Sequence, residues 1–304
     1  MTTVVGSVLF VVLVWWFSTG AVLMLCRLNR LTYVWSFAMA TIILVVAMVG
    51  LALASRELSA GNVIVSFCCV IAIWAWHEMA FLFGYLTGPR RTACPDGSCG
   101  WTRFWLAFNA LKHHELALLA TFAAVVFVCW DGPNYYGMAA FAVLWLMRIS
   151  AKLNIYFGVP HFSDEMLPPH LEHLSSYFRV APIGAFYVAT MLVSGGVALG
   201  LLWVMLAGPE LGAAHGIGLV VVLSLLLLAI LEHGFMAVPV RDTALWRWAM
   251  IEIVERMPAN ARVTEKDGDQ SFINNQSRGT GIAQASLRGA PAKCLSVGGM
   301  KNGL

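Results

Sequence analysis

Residues 61 to 87 read GNVIVSFCCVIAIWAWHEMAFLFGYLT, a run whose only charge is Glu78, closed by Gly88-Pro89-Arg90-Arg91. A helix crossing the hydrocarbon core of a bilayer needs about 20 mostly apolar residues, so this stretch reads as a membrane span. Six more stretches outward from it meet the same test: 4 to 26, 33 to 54, 104 to 129, 135 to 157, 181 to 206 and 214 to 239. Turn-forming or charged residues break the chain between them, among them Arg27 and Arg30, Asp131-Gly132-Pro133-Asn134, and Gly208-Pro209. The first span has no basic residue before it and is too long for the apolar core of a signal peptide, so it is read as a retained helix. The expected fold is all-α, a polytopic integral membrane bundle of about seven transmembrane helices.

Composition supports this. The chain is 60% hydrophobic and 12% charged, with mean hydropathy +0.76, whereas a soluble domain is roughly half apolar and a quarter charged. A water-soluble fold is excluded. The lipid bilayer is thus the first expected partner. A net charge of +3, carried by short loops and the tail, speaks of topology and gives no sign of a nucleic-acid partner. Arg27, Arg30, Arg90, Arg91, Arg103, Arg179, Arg241 and Arg247 fall on one side of the expected membrane and Arg56 alone on the other. Basic residues are retained in the cytoplasm, so the amino terminus is expected outside and the carboxyl terminus inside. The organisation expected is a membrane domain over 1–240, an amphipathic interfacial helix over 241–257 with Trp246 and Trp248 between charges, and a disordered tail over 258–304. The seven scattered cysteines lack zinc-ribbon spacing and read as plain thiols.

Ionisable groups inside an apolar bundle are costly and mark a functional interior. Counted from the expected cytoplasmic helix ends, Glu78, Glu115 and Glu232 lie at one depth, ~12 to 16 Å in. Each adjoins a histidine, as His77-Glu78, His114-Glu115 and Glu232-His233, with a fourth pair, Glu172-His173, in the loop between helices five and six. Chance would give about half a pair. Glu78, His114, Glu115, Glu172, His173 and Glu232 contain the ligands of a carboxylate-bridged dinuclear metal site. No Glu-x-x-His pair accompanies them, and adjacent helical residues point about 100° apart. Two other readings stand beside the metal site. The pairs can be hydrogen-bonded packing between helices, or a histidine such as His77, His170 or His233 can ligate a bacteriochlorophyll-type pigment or a haem.

Arg148 and Lys152 lie one helical turn apart on helix five, with Asn154 just beyond. They either reach out to lipid headgroups or stay inside, neutralising the glutamates or holding an anionic ligand. On helix four, Ala107, Ala110, His114, Ala117 and Thr121 form a small-residue stripe that places His114 on a packed face. The loop from Gly158 to Ala181, with its Pro168-Pro169-His170 and Leu171-Glu172-His173, reads as a re-entrant or interfacial cap on the bundle.

Several of these segments together carry a resemblance. They are Trp16-Phe17-Ser18-Thr19-Gly20, Trp76-His77-Glu78 with Gly88-Pro89-Arg90-Arg91, and His114-Glu115-Leu116-Ala117. Further on come Lys152-Leu153-Asn154-Ile155-Tyr156-Phe157-Gly158-Val159-Pro160, Pro169-His170-Leu171, Ser176-Tyr177-Phe178, Leu231-Glu232-His233 and Ala244-Leu245-Trp246-Arg247-Trp248. From about Trp15 to Trp248 the chain resembles the PuhE family of photosynthetic complex assembly proteins of proteobacterial phototrophs. The resemblance implies a photosynthetic inner membrane, a periplasmic amino terminus, and a role in forming or regulating the reaction centre, the light-harvesting antenna and the bacteriochlorophyll supply. Photosynthetic complex subunits or pigment-synthesis proteins would be its partners. It brings no catalytic residues. The expected function is a non-catalytic assembly factor whose polar cytoplasmic half binds a pigment, a metal or a partner helix. The rival is a membrane metalloenzyme acting on a tetrapyrrole or isoprenoid precursor.

Overall fold

A computed structural model of the chain describes residues 2–162, 166–207, 212–240 and 242–250. Seven long helices lie within these residues: α1 (Thr2–Cys26), α2 (Tyr33–Ala54), α3 (Ala60–Leu82), α4 (Gly100–Cys129), α5 (Tyr136–Phe157), α6 (Ala185–Ala207) and α7 (Ala213–Ala237). Each is long and apolar enough to cross a membrane, so the chain is a multi-pass membrane protein. The described residues contain no strand beyond one isolated bridge, Val159 with Val180.

Helices α3 and α7 form the centre. α3 packs against α1, α2, α5 and α7, and α7 against α1, α3, α5 and α6. Half of the α3 span is buried against 11% of α6, so α6, like α2, turns most of its Val and Leu side chains outward, where lipid tails would meet them. One apolar cluster joins Phe67, Val70, Ile73, Leu118, Phe141 and Leu225 in the middle of the bundle. A second joins Val22, Leu23, Met79, Phe81, Leu174 and Trp246 near one end.

The turns are tied down by hydrogen bonds that an apolar environment makes obligatory. At one end, Asn134 donates through Nδ2 to the Ala54 carbonyl and the Ser66 hydroxyl, both at 2.9 Å. Ser59 caps α3 by accepting from the Asn62 N–H. At the other end gather the segments after α1, α3, α5 and α7. Arg30 meets His170, Arg103 meets Tyr156 and Tyr177, the His161 N–H donates to Met236, and Trp16 donates to the Leu245 carbonyl.

Three boundaries differ from the sequence expectation by four residues or more, the end of α3 and the starts of α4 and α6, with α6 beginning at Ala185 rather than 181. α3 stops at Leu82 rather than 87. Gly84 takes φ +79°, the Leu86 N–H turns back to the Ala80 carbonyl, and buried Thr87 and Gly88 lie against α4. The His114 N–H donates to the Thr87 carbonyl (2.9 Å) and the Arg90 N–H to Asn109 (3.3 Å). A side chain at Gly88 would put its Cβ 2.0 Å from the Asn109 oxygen, so glycine is required by the close approach. α4 begins at Gly100 rather than 104, and at ~45 Å long it exceeds the hydrocarbon thickness and projects beyond it.

Over 242–250, the described part of the segment expected to be amphipathic, the chain forms a 3₁₀ turn (Asp242–Trp246) followed by turns. It is docked on α1. Trp246 donates to the Trp16 carbonyl (3.0 Å), and Trp248 packs on Trp16 and Phe17. The turn expected at Gly208-Pro209, Arg241, and the tail from 251 on lie outside the described residues.

Candidate functional site

The adjacent histidine and glutamate of each membrane pair are split by the helical turn between neighbours. The three histidines go into helix packing, each 1% exposed. His77 Nε2 lies 2.9 Å from the Thr121 hydroxyl of α4, and its ring stands edge-on to Trp76. His114 packs against Phe81, with His77 6.4 Å away between ring centroids. His233 places Nδ1 2.8 Å from the Ala229 carbonyl, so that nitrogen carries the proton and Nε2 accepts from the Ser150 hydroxyl at 3.1 Å. Asn154 Nδ2 reaches Ser150 and Thr190, and Tyr187 donates to the His233 carbonyl. This network sews α5, α6 and α7 together and occupies both ring nitrogens of His233.

The carboxylates turn the other way. Glu78 and Glu232 line a chamber of about 740 Å³ enclosed by α1, α3, α4, α5 and α7. Arg148 and Lys152 line it from α5. Arg148 donates through Nη2 to Glu78 Oε2 at 3.0 Å, and Lys152 donates to Glu115 at 2.5 Å. Glu78, Glu232 and Glu115 all act electrostatically on Arg148. A lone charge in an apolar bundle is costly, and pairing brings that cost down. The two cations therefore neutralise Glu78 and Glu115 inside the bundle, and Glu232 acts on Arg148 from α7. The Arg148 side chain retains 44% of its accessible surface, and as it lines the chamber that surface faces the cavity. Most of the remaining wall is apolar or aromatic, including Trp15, Trp74, Phe235 and Trp246.

The loop after α5 closes one end of the chamber through Met166, Leu167, Leu174, Tyr177 and Phe178. Its 3₁₀ segment Pro169–Tyr177 buries Leu171, Leu174 and Tyr177. Arginines from neighbouring turns hold it in place. Arg90 Nε donates to the Tyr177 hydroxyl (2.6 Å), which donates to the Thr92 carbonyl. Arg103 donates to the Tyr177 carbonyl (2.7 Å) and stacks over Tyr156. Arg30 Nη2 donates to His170 Nδ1 at 3.2 Å, which requires the neutral imidazole. Burial pushes His170 below the usual histidine range, the Arg30 charge adds to this, and the nearby Leu82 backbone opposes it. Burial lowers His173 as well.

The sequence-expected metal set is dispersed. Glu78 and Glu232 line the chamber, Glu115 is bonded to Lys152, His114 is in helix packing, and Glu172 is exposed on the cap near His173. Among the described residues no three of His, Cys, Asp or Glu are grouped to hold a metal ion. The reason is that the carboxylates of α3 and α4 are taken by the α5 cations. His170 serves the cap. The described cysteines Cys26, Cys68, Cys69, Cys94, Cys99 and Cys129 are free thiols. Sequence reasoning missed Thr121, Ser150, Thr190 and Tyr187 as histidine partners and Tyr177 as the arginine acceptor. Only Ser150, four residues before Asn154, left a helical-spacing signal.

No solved structure matches the chain. It is 33% identical over 243 residues, covering 79% of this chain and 88% of the relative, to a protein of Rhodobacter capsulatus described as "Uncharacterized 30.4 kDa protein in puhA 5'region". Residues 1–256 match a family described as "Protein of unknown function (DUF3623)". Over that length the match takes in every described helix, and the chain belongs to the DUF3623 family.

Proposed function

We propose that this chain is a non-catalytic, inner-membrane factor in the assembly or regulation of bacterial photosynthetic complexes, and that the chamber is its working part, a receptor for an amphipathic guest. The observation that carries the reading is the chamber itself. Its volume of about 740 Å³ falls within the range of small-molecule sites, and its wall has their character, mostly apolar with a few convergent polar groups. The link to photosynthesis is supported by the printed name of the Rhodobacter capsulatus relative, which puts that protein beside puhA, and by the segment-by-segment resemblance to the PuhE family. The basic turns gathered at the capped end support a cytoplasmic location for the cap and a periplasmic amino terminus. The metalloenzyme alternative would need a ligand set, and two of the four glutamates named for it, Glu78 and Glu115, are engaged with Arg148 and Lys152.

The test is genetic and spectroscopic. In a phototroph lacking its own homologue, this chain is expected to restore near-infrared reaction-centre and antenna absorbance. Full absorbance in the deletion strain without it would defeat the assembly role.

A further inference from the structure

We propose that the chamber binds apolar carboxylic acids, with the acid group seated between Arg148 and Glu78. This rests on the reading of the chamber as a guest site and names the class of guest. Two unfilled groups adjoin where the ion pair meets the chamber, one of them, Glu78 Oε1, covered until the carboxylate turns toward a guest. Glu78 accepts from Arg148 through Oε2, while its Oε1 is buried with no partner. Arg148 spends one nitrogen on that bond, and among the described residues its Nε and Nη1 have no acceptor, although a guanidinium carries five N–H donors. A donor and an acceptor are thus on offer within one ion pair.

A carboxylic acid answers both from a single carbon. Its carbonyl oxygen accepts from Arg148, and its O–H donates to Glu78 Oε1 as a charge-assisted bond, the stronger kind. A guest that stayed ionised would instead set a second negative charge against Glu78. An ester offers an acceptor and no donor. The apolar body of the guest then lies along the aromatic wall formed by Trp15, Trp74, Phe235 and Trp246.

Binding of such an acid from neutral water carries a proton with it. The ionised acid and one proton enter together, and the proton is held between the guest and Glu78. The other charged or titratable groups on or behind the wall are Lys152 of α5 paired with Glu115 of α4, Glu232 of α7, His161 and Tyr177 of the loop after α5, and Tyr156 of α5, with Cys26 of α1 near Glu78 and His114 of α4 near Arg148.

The full chain in phosphatidylcholine nanodiscs tests this. The probes are palmitic acid and a propionate-bearing porphyrin, which separate an acyl-chain guest from a ring guest, each run against its methyl ester. Calorimetry in two buffers of different ionisation heat counts protons. One acid or the other is expected to bind at least about ten-fold tighter than its ester, taking up about one proton. In Glu78→Gln the acid is expected to bind without proton uptake, and in Arg148→Gln it should fall to the level of the ester, both variants being checked for folding by size exclusion. Displacement of the acid by phosphatidylglycerol would identify an anionic lipid headgroup as the guest and overturn the acid inference. Ester binding as tight as acid binding would overturn the acid inference alone. No binding of acid or ester would overturn the guest chamber with it, while the absorbance test of the assembly role stands apart.

Discussion

The guanidinium of Arg148 on α5 donates to the Glu78 carboxylate on α3 across 3.0 Å, and both side chains line the same chamber. Removing one partner strands the other in an apolar bundle, which costs more than removing both. Arg148→Met and Glu78→Gln are each expected to lower the apparent Tm in detergent, with the double variant more stable than the sum of the two losses. The coupling is expected to be about 1–3 kcal/mol, between the surface and the buried limits because the chamber leaves the pair partly accessible. Strict additivity in the cycle would mean that the pair contributes nothing to holding α3 against α5.

Gly88→Ala tests the close approach of the turn after α3 to α4. The added Cβ would meet the Asn109 oxygen at 2.0 Å, and relief requires the Thr87–His114 and Arg90–Asn109 backbone bonds to part. A loss of at least about 2 kcal/mol is expected, in the range of strained or overpacked substitutions. Gly195→Ala on α6 meets nothing within 4 Å and should be neutral. Equal thermal stability of the two variants would remove the packing argument.

The cap is expected to loosen on acidification. His170 accepts from Arg30 only when neutral, and its pKa is held below the ordinary 6.5. The unfolded cap therefore binds more protons than the folded one, so this stabilisation is full above about pH 6.5 and is lost progressively as pH falls below it through the lowered folded pKa. Arg30 and Arg91 from the neighbouring turns and His173 on the same segment all disfavour the charged ring. Hydrogen exchange over 166–178 should rise between pH 7.5 and 5.5, and the rise should flatten in His170→Gln, whose amide oxygen can still accept from Arg30. A rise undiminished in that variant would assign the pH response to another group.

The spans were legible because burial in lipid demands length and apolarity, and both are written in composition. α2 occupies 33–54, as read. The end of α3 was not legible, since Phe83 to Thr87 are as apolar as the helix before them. Only the positive φ at Gly84 and the bonds to α4 reveal the reversal. The excess of His–Glu pairs drew attention to α3, α4 and α7, and the 100° between neighbours is why the members of a pair face different surroundings. Which member would face inward was beyond reach, because it depends on how α3, α5 and α7 are rotated against each other. The arginines read as topology markers. Their bonds to Tyr177 and to carbonyls of the cap come from contacts distant in the chain, such as Arg90 with Tyr177 and Arg103 with Tyr156, which no local pattern encodes.

If the chamber is what this protein works with, obstructing it should abolish the function while the fold survives. Ala75 of α3 and Ala229 of α7 line the cavity, and Ala75→Phe with Ala229→Phe would obstruct it with two aromatic rings while leaving the Arg148–Glu78 pair in place. The variant and the parent chain, produced to equal levels in a phototroph lacking its own homologue, are compared by near-infrared absorbance of isolated membranes. The obstructed variant is expected to leave reaction-centre and antenna absorbance at the deletion level while the parent chain restores it. Full absorbance with the obstructed chamber at equal protein level would contradict the chamber's role.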